Sequence, residues 1–175
     1  VGAHHKSQAT GSVPIISCGY LLVTNEGVFF KAEIKEEDNT KTVLKILVIK
    51  DASSRFIGAH VVPVKGIGED RYAAEKVRRD VLWLGYSKIV IKSDNEPALV
   101  AVVKGVLKSL KVDVVDASPA HPTPYDSKAS GQAENAVKQG QGMIRCLKFC
   151  TEERIRHQIP SEHVITTWIV QHVAW

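Results

Sequence analysis

Asp94 is the first candidate for chemistry in this sequence. It directly follows the strand-like run KIVIKS (88–93) and precedes a helical segment whose first turn carries Glu96 and Pro97, and proline is favoured in a first helical turn. Ligands in open α/β sheets collect beyond the carboxyl ends of parallel strands, which is where this carboxylate falls. An aspartate before a helix is also a common N-cap. Its position therefore favours a functional role and a capping role equally.

A second carboxylate, Glu134, begins a polar stripe on a segment with helical periodicity. Glu134, Lys138, Gln141 and Arg145 are spaced to fall on one face of a helix over 131–149. One interpretation is a solvated face with an i,i+4 ion pair worth a few tenths of a kcal/mol. The other is a metal-binding carboxylate followed, turn by turn, by groups that hold a phosphate backbone. The spacing alone leaves both interpretations open.

The elements that position these acids follow from hydrophobic periodicity. Three β-rich runs separated by turns predict an antiparallel meander, and the later alternation of strands and helices predicts parallel strands. The sequence therefore predicts an α/β fold with a mixed five-stranded sheet, three antiparallel strands and then two parallel ones, flanked by helices. The predicted strands are 14–24, 42–50, 56–64, 88–93 and 112–117, and the predicted helices are 69–84, 96–110, 131–149 and 161–174.

Three local expectations accompany this scheme. A proline-rich loop is predicted over 118–130, and Ser161 is a plausible N-cap of the last helix. An apolar stripe on the 131–149 helix predicts that this helix packs against the sheet. The stripe consists of Ala133, Ala136, Val137, Gly140, Met143, Ile144 and Leu147.

Gly19 is anomalous in the first strand. It interrupts the run PIISCGYLLVT (14–24), which is otherwise rich in β-branched, aromatic and aliphatic side chains. A glycine inside a strand costs entropy and packs nothing, so it marks a bulge, a close backbone approach or the loss of a larger residue.

The composition is that of one soluble globular domain, with 175 residues, 44% hydrophobic and 24% charged. We expect an intracellular protein with no membrane partner, because no apolar run reaches the roughly 18 residues of a membrane span and no signal segment opens the chain. The net charge of +4 permits binding to a polyanion without requiring it. We interpret 1–12 as a linker or the tail of an upstream module, and 13–175 as a domain excerpted from a longer polypeptide and truncated at its C-terminus.

The three cysteines argue against a disulfide framework, because their number is odd and their spacing unpaired. Cys146 and Cys150 could share one helix face. Metal binding there is disfavoured, because a structural zinc site needs four ligands and no partner motif is evident.

The order of these motifs resembles a known family. KIVIKSDNEPALVAVV followed by HPTPYDSKASGQAENAVKQGQGMIR resembles the second and third parts of the catalytic core of retroviral and retrotransposon integrases, an RNase H-like fold with a DDE motif. ILVIKDASSRFIGAHVVPVKG is similar to that family's second and third strands, and TTWIVQHVAW to the helix that follows the core. The resemblance covers about 13–175 and points to a copia-like retroelement polyprotein. The 39 residues between Asp94 and Glu134 exceed the family's usual spacing slightly, and the excess can sit in the loop.

The resemblance implies a site and a reaction. Asp94 and Glu134 would be the second and third acids, which with a first acid hold two Mg²⁺ (or Mn²⁺) ions and catalyse polynucleotidyl transfer, the strand transfer of DNA integration. Lys138 matches a position that contacts DNA phosphates, and Gln141, Arg145 and Ser130 are expected to extend that interface. The partners implied are the element's DNA ends and a target duplex. The family also implies a homo-oligomer and a nuclear site of action.

Gly19 falls where the family keeps its first acid, and glycine and aspartate codons differ by one base. We expect Asp51 to form a turn near Ser53 and not to replace that acid; Asp113 and Asp116 are weaker candidates still. The sequence therefore predicts an integrase core of weak or absent activity. The alternatives are a non-catalytic nucleic-acid-binding or oligomerisation module derived from such a core and, less favoured by the loop and the SGQAEN segment, a nuclease of the same fold that cuts RNA in hybrids.

Overall fold

A mixed β-sheet with helices on both faces forms the protein. The computed structural model describes residues 13–24, 29–31, 42–93, 95–111, 116–120 and 127–173. The strands are β1 (Ile15–Thr24), β2 (Phe29–Lys31), β3 (Thr42–Asp51), β4 (Ile57–Val62), β5 (Lys88–Ser93) and β6 (Asp116–Ala120), and the helices are α1 (Tyr72–Leu84), α2 (Pro97–Leu110), α3 (Ser127–Ile155) and α4 (Val164–His172).

The strand order confirms the predicted five-stranded arrangement. The sheet runs β4-β3-β1-β5-β6; β1, β3 and β4 form the antiparallel meander, and β5 and β6 join in parallel. A short sixth strand, β2, pairs antiparallel with β1 at Leu21–Val23. Sequence analysis missed β2 because three residues beside a charged stretch carry too little periodicity to mark a strand.

The last strand extends past its predicted end at residue 117. Residues 112–115 lie outside the described part of the chain, and β6 continues through Ser118, Pro119 and Ala120, which we had assigned to the loop. Proline has no N–H to donate to a neighbouring strand, so it is unsuited to a central strand. Among the described strands, however, β6 is at the edge of the sheet and pairs only with β5. An edge strand tolerates proline, because one side of its backbone needs no ladder bond.

Two hydrophobic clusters, one on each face of the sheet, form the core. On the first face, α1 and α2 pack on even-numbered residues of β1, including Cys18 and Tyr20. On the second face, α3 and α4 pack on odd-numbered residues of β1, including Leu21 and Val23. The alternation of a β-strand therefore assigns each β1 side chain to one pair of helices.

Helix α3 is longer than predicted at both ends. Residues 127–130, which we had placed in the proline-rich loop, are helical, and the helix runs past 149 to Ile155. A Lys148–Glu152 ion pair spans one of the added turns. Arg156, with φ 54°, then takes the left-handed conformation that ends the helix. The predicted apolar stripe packs on the sheet, except for Leu147, which is 39% exposed.

The prediction that Ser161 caps the last helix is wrong. Ser161 is buried, and α4 starts later, with His163 as its N-cap. The His163 Nδ1 atom accepts a hydrogen bond of 3.2 Å from the N–H of Ile165. The helix begins later because residues 160–163 form a turn, in which the N–H of His163 donates to the carbonyl of Pro160.

The predicted turn role of Asp51 is confirmed. Its buried carboxylate accepts hydrogen bonds from the N–H groups of Ser53 (3.2 Å) and Ser54 (2.8 Å). The Tyr86 hydroxyl donates a third bond, of 2.7 Å, to Asp51 Oδ2. Asp51 thus joins the β3–β4 turn to the segment between α1 and β5.

Replacing Tyr86 by phenylalanine tests this link. A hydrogen bond to a charged group is worth about 1.5–3 kcal/mol, so Tyr86→Phe should lower the free energy of unfolding by about that amount. Urea denaturation measures the change. Tyr72→Phe is the matched control, because no hydrogen bond of the Tyr72 hydroxyl is present among the described residues. An equal loss in both variants would contradict the role of this bond.

The same hydroxyl makes stability depend on alkaline pH. Burial, and then the bond to Asp51, raises the pKa of Tyr86 from 10.0 to about 12. Between these values the folded state holds the proton more tightly than the unfolded state, so stability falls as pH rises through that window. We expect this component of the pH dependence in the native chain and not in Tyr86→Phe, measured by urea denaturation from pH 9 to pH 12.

Candidate functional site

Gly19 lies in the middle of the sheet, on the face covered by α3. It pairs with Val48 of β3, and on the other edge of β1 its neighbour Cys18 pairs in parallel with Ser93, the last residue of β5. Odd-numbered residues of β1 face α3 and α4. Gly19 and the carboxyl end of β5 are therefore side by side.

Helix α3 packs directly on the backbone of Gly19. A Cβ atom added to Gly19 would lie 3.2 Å from Val137 Cγ2 and 3.7 Å from Ala133 Cβ. The first contact is closer than ordinary van der Waals packing. Since Glu134 follows Ala133 in the chain, the turn of α3 that carries this carboxylate crosses the sheet at Gly19. Of the three explanations for a glycine in this strand, the structure therefore shows a close backbone approach.

The structure describes most of the predicted site residues. Glu134, Lys138 and Arg145 are exposed, and Gln141 is half-buried. Glu134, Gln141 and Arg145 each also interact with other groups of the chain. Asp94 lies outside the described residues. The last predicted member, Ser130, is in the first turn of α3.

The other aspartates are poorly placed to replace the missing acid. Asp51 pairs directly with Ile16, and residues opposite each other in an antiparallel pair share a face. Ile16 belongs to the cluster under α1 and α2, so Asp51 is on the wrong face of the sheet for Gly19. Asp116 pairs in register with Lys88, at the opposite end of β5 from Ser93. Asp113 lies outside the described residues.

The described residues alone do not supply the ligands of a two-metal site, and Asp94 lies outside them. Among them, no group of three or more histidine, cysteine, aspartate or glutamate residues could hold a metal ion. Gly19 supplies no side-chain oxygen at the centre of the arrangement. All three cysteines are free, and Cys146 and Cys150 are exposed on α3.

Sequence reasoning missed a set of long-range contacts beside the end of β5. The Lys65 Nζ atom is 2.9 Å from Glu96 Oε1 and 5.4 Å from the centre of the Tyr20 ring, while the N–H of Gly66 donates to the Tyr20 hydroxyl oxygen at 2.9 Å. These contacts tie the loop after β4 to β1 and to the start of α2. Residues so far apart in sequence give no local signal of the contact.

Comparisons with known proteins find likeness in solved structures alone. Neither a protein-family model nor a curated protein matches the chain. A chain of the simian T-cell lymphotropic virus intasome, solved by cryo-electron microscopy in complex with PP2A regulatory subunit B56 gamma, matches with a TM-score of 0.54 over 93% of this chain, at 15% identity. The chain shares its fold with that intasome chain.

A second structure has a lower score. The crystal structure of the catalytic core domain of BIV integrase matches 78% of this chain and 72% of its own, with 17% identity and a TM-score of 0.46. The present chain spans 50% of the intasome chain. Among the residues that the structure describes, no helix is long and apolar enough to cross a membrane.

The contact between β1 and α3 predicts coupling between positions 19 and 137. Gly19→Ala adds the Cβ that meets Val137 Cγ2, and Val137→Ala removes that methyl group. We expect the effect of Gly19→Ala on the free energy of unfolding to be more favourable by about 0.5–1.5 kcal/mol in the Val137→Ala background than in the native chain. A double-mutant cycle of urea denaturations measures this difference. Val103→Ala, in the core on the other face, is the control and should show no coupling. Additivity of Gly19→Ala with Val137→Ala would contradict the close approach.

Proposed function

We propose that residues 13–175 of this chain, approximately, are the catalytic-core domain of an integrase from a copia-like retrotransposon polyprotein. In this domain Gly19 has replaced the first catalytic acid. Its ancestral reaction is metal-dependent DNA strand transfer, and in this copy the reaction is weak or absent. The observation that carries the proposal is the convergence of three chain positions within an integrase-core fold: Gly19, the carboxyl end of β5, and the turn of α3 bearing Glu134.

The proposed site assigns a role to each remaining acid. Asp94 and Glu134 would be the second and third ligands of an ancestral pair of Mg²⁺ or Mn²⁺ ions, which would supply Lewis-acid stabilisation of the phosphodiester. The first acid is missing from the centre of this set. Misplacement of a reacting group by 1 Å already costs about 100-fold in rate, so a set without that ligand should leave little activity.

The proposed substrate is DNA, held by the exposed face of α3. Lys138 and Arg145 are exposed on this helix, one and three turns past Glu134, with Gln141 between them and Ser130 one turn before it. Positive side chains in a row neutralise phosphates without reading bases. We assign both the element's ends and the target duplex to this partner class, with action as a homo-oligomer in the nucleus.

A non-catalytic module is the second candidate function. The absence of a carboxylate at Gly19 and the packing of Val137 against it favour this candidate, because even a Cβ at this position would lie 3.2 Å from Val137 Cγ2. Such a module would retain the fold and DNA binding. Its response to divalent metal, in DNA binding or in strand transfer, would be no larger than that of a variant without Glu134.

Restoring the first acid tests the proposal. We expect the native chain to give background strand transfer, Gly19→Asp to raise it, and Gly19→Asp with Val137→Ala to raise it further, because the second change makes room for the new side chain. A Mg²⁺- or Mn²⁺-dependent strand-transfer assay on labelled duplex ends measures all three variants.

Glu134→Gln in each background is the control, and it should abolish any activity gained. Equal activity with and without Gly19→Asp, lost with Glu134→Gln, would show that another carboxylate is the first acid. No activity in any variant, with DNA binding intact, would favour the non-catalytic module.

The DNA interface makes a separate prediction. Lys138→Gln with Arg145→Gln should weaken binding to duplexes of any sequence equally and should lower the slope of log K against log salt by up to about 1.8. Fluorescence anisotropy at 50–200 mM salt measures both quantities. Arg55→Gln with Arg154→Gln, both exposed and off this face of α3, is the charge-matched control. A loss confined to one DNA sequence, or an equal loss in the control, would contradict the interface.

A further inference from the structure

Three exposed lysines form a basic surface on α2. Lys104, Lys108 and Lys111 are exposed, and we call them the α2 lysine stripe. At about 100° per residue they fall within about 60° of the helix circumference, and they span roughly 10 Å along its axis. No acidic residue occurs in α2. None of the three lysines makes an ion pair with the described residues.

Arg71 brings a further positive charge to the same helix. Its Nη2 atom donates to the carbonyl of Gly105 at 3.3 Å, and Gly105 lies between Lys104 and Lys108 in the chain. The acid that precedes Arg71, Asp70, accepts a hydrogen bond from the N–H of Tyr72. The Arg71 guanidinium thus lies against the backbone of α2, while the exposed acids Glu69 and Asp70, which precede it, limit the basic surface to the side of α2.

The stripe and the proposed α3 interface are on opposite sides of the molecule. α1 and α2 cover the face of the sheet that contains Cys18 and Tyr20, whereas α3 and α4 cover the other face. The whole sheet separates Lys108 from Lys138. A straight duplex lying along α3 therefore does not reach the α2 lysine stripe.

The chemistry around the stripe fits a nucleic-acid backbone better than a lipid surface. Helices that bind membranes insert large apolar side chains beside their basic ones. None of the exposed large hydrophobic residues is in α2, whose long apolar side chains face the core. Closely spaced lysines without apolar neighbours provide only charge, which is what a run of phosphates requires.

We infer that the α2 lysine stripe binds the phosphate backbone of a second nucleic-acid segment, held on the face of the sheet opposite α3. This goes beyond the proposed function, because it needs neither the missing acid nor a metal ion. Favourable interaction with the helix dipole explains Lys108, which is in the last turn. It does not explain Lys104, which lies further from that end.

A binding experiment without divalent metal tests the inference. Lys104→Gln, Lys108→Gln and Lys111→Gln are combined in one variant, and the same three positions are changed to arginine in a second. Glutamine and arginine are both good helix formers, so both variants keep α2 helical. Arg55→Gln, Arg154→Gln and Arg156→Gln together form the charge-matched control, exposed on elements that do not pack on α2. Anisotropy of a labelled random-sequence duplex gives the affinity at 50–200 mM salt.

We expect the glutamine variant to lose about tenfold or more in affinity at 0.1 M salt, and the slope of log K against log salt to fall by up to about 2.7. The arginine variant should bind like the native chain, and the control should lose less. In the Lys138→Gln, Arg145→Gln background the same fold-loss should recur, because the two surfaces are independent.

Two results would overturn the inference. One is an equal loss in the glutamine variant and the charge-matched control, which would mean that net charge alone matters. The other is a loss of binding to anionic phospholipid vesicles without a loss of duplex binding, which would assign the stripe to a membrane surface. Neither result bears on strand transfer, so failure here is distinguishable from failure of the proposed function.

Discussion

The central strand β1 is the constraint on which the rest of the structure depends. It pairs with β3 along one edge and with β5 and β2 along the other, and it is buried on both faces. A substitution at any position of a strand buried in this way affects the packing of the helices on one face of the sheet. Its alternation commits Cys18 and Tyr20 to α1 and α2, and Gly19, Leu21 and Val23 to α3 and α4.

This constraint joins the chemistry of the site to its packing. A larger side chain at position 19 would project from β1 towards α3, where Val137 lies close to the backbone of Gly19. Under the proposed function, an acid restored at this position has to fit beneath the helix, so activity and packing at this point would not be independent.

The two helix layers differ in the groups they present to solvent. α3 presents Glu134 together with polar and basic residues, and the turn that carries Glu134 lies close to Gly19. α2 exposes only lysines among its charged residues. Because the sheet separates the layers, the two basic surfaces lie apart, and salt would weaken the proposed binding of a polyanion to either surface in the same way.

The sequence by itself determined the succession of the five main strands and the helices along the chain, the antiparallel or parallel sense of those strands and the assignment of apolar faces, because these follow from local periodicity and from the rule that parallel strands need crossovers. It also identified the turn role of Asp51, since the bonds to Ser53 and Ser54 are local. Only the tertiary structure decided the rest: that Asp51 faces away from Gly19, that Val137 packs on Gly19, that Lys65 reaches Glu96, and that Pro119 lies in an edge strand. Each of these depends on which strands become neighbours, and distant residues leave no local pattern from which that could be read.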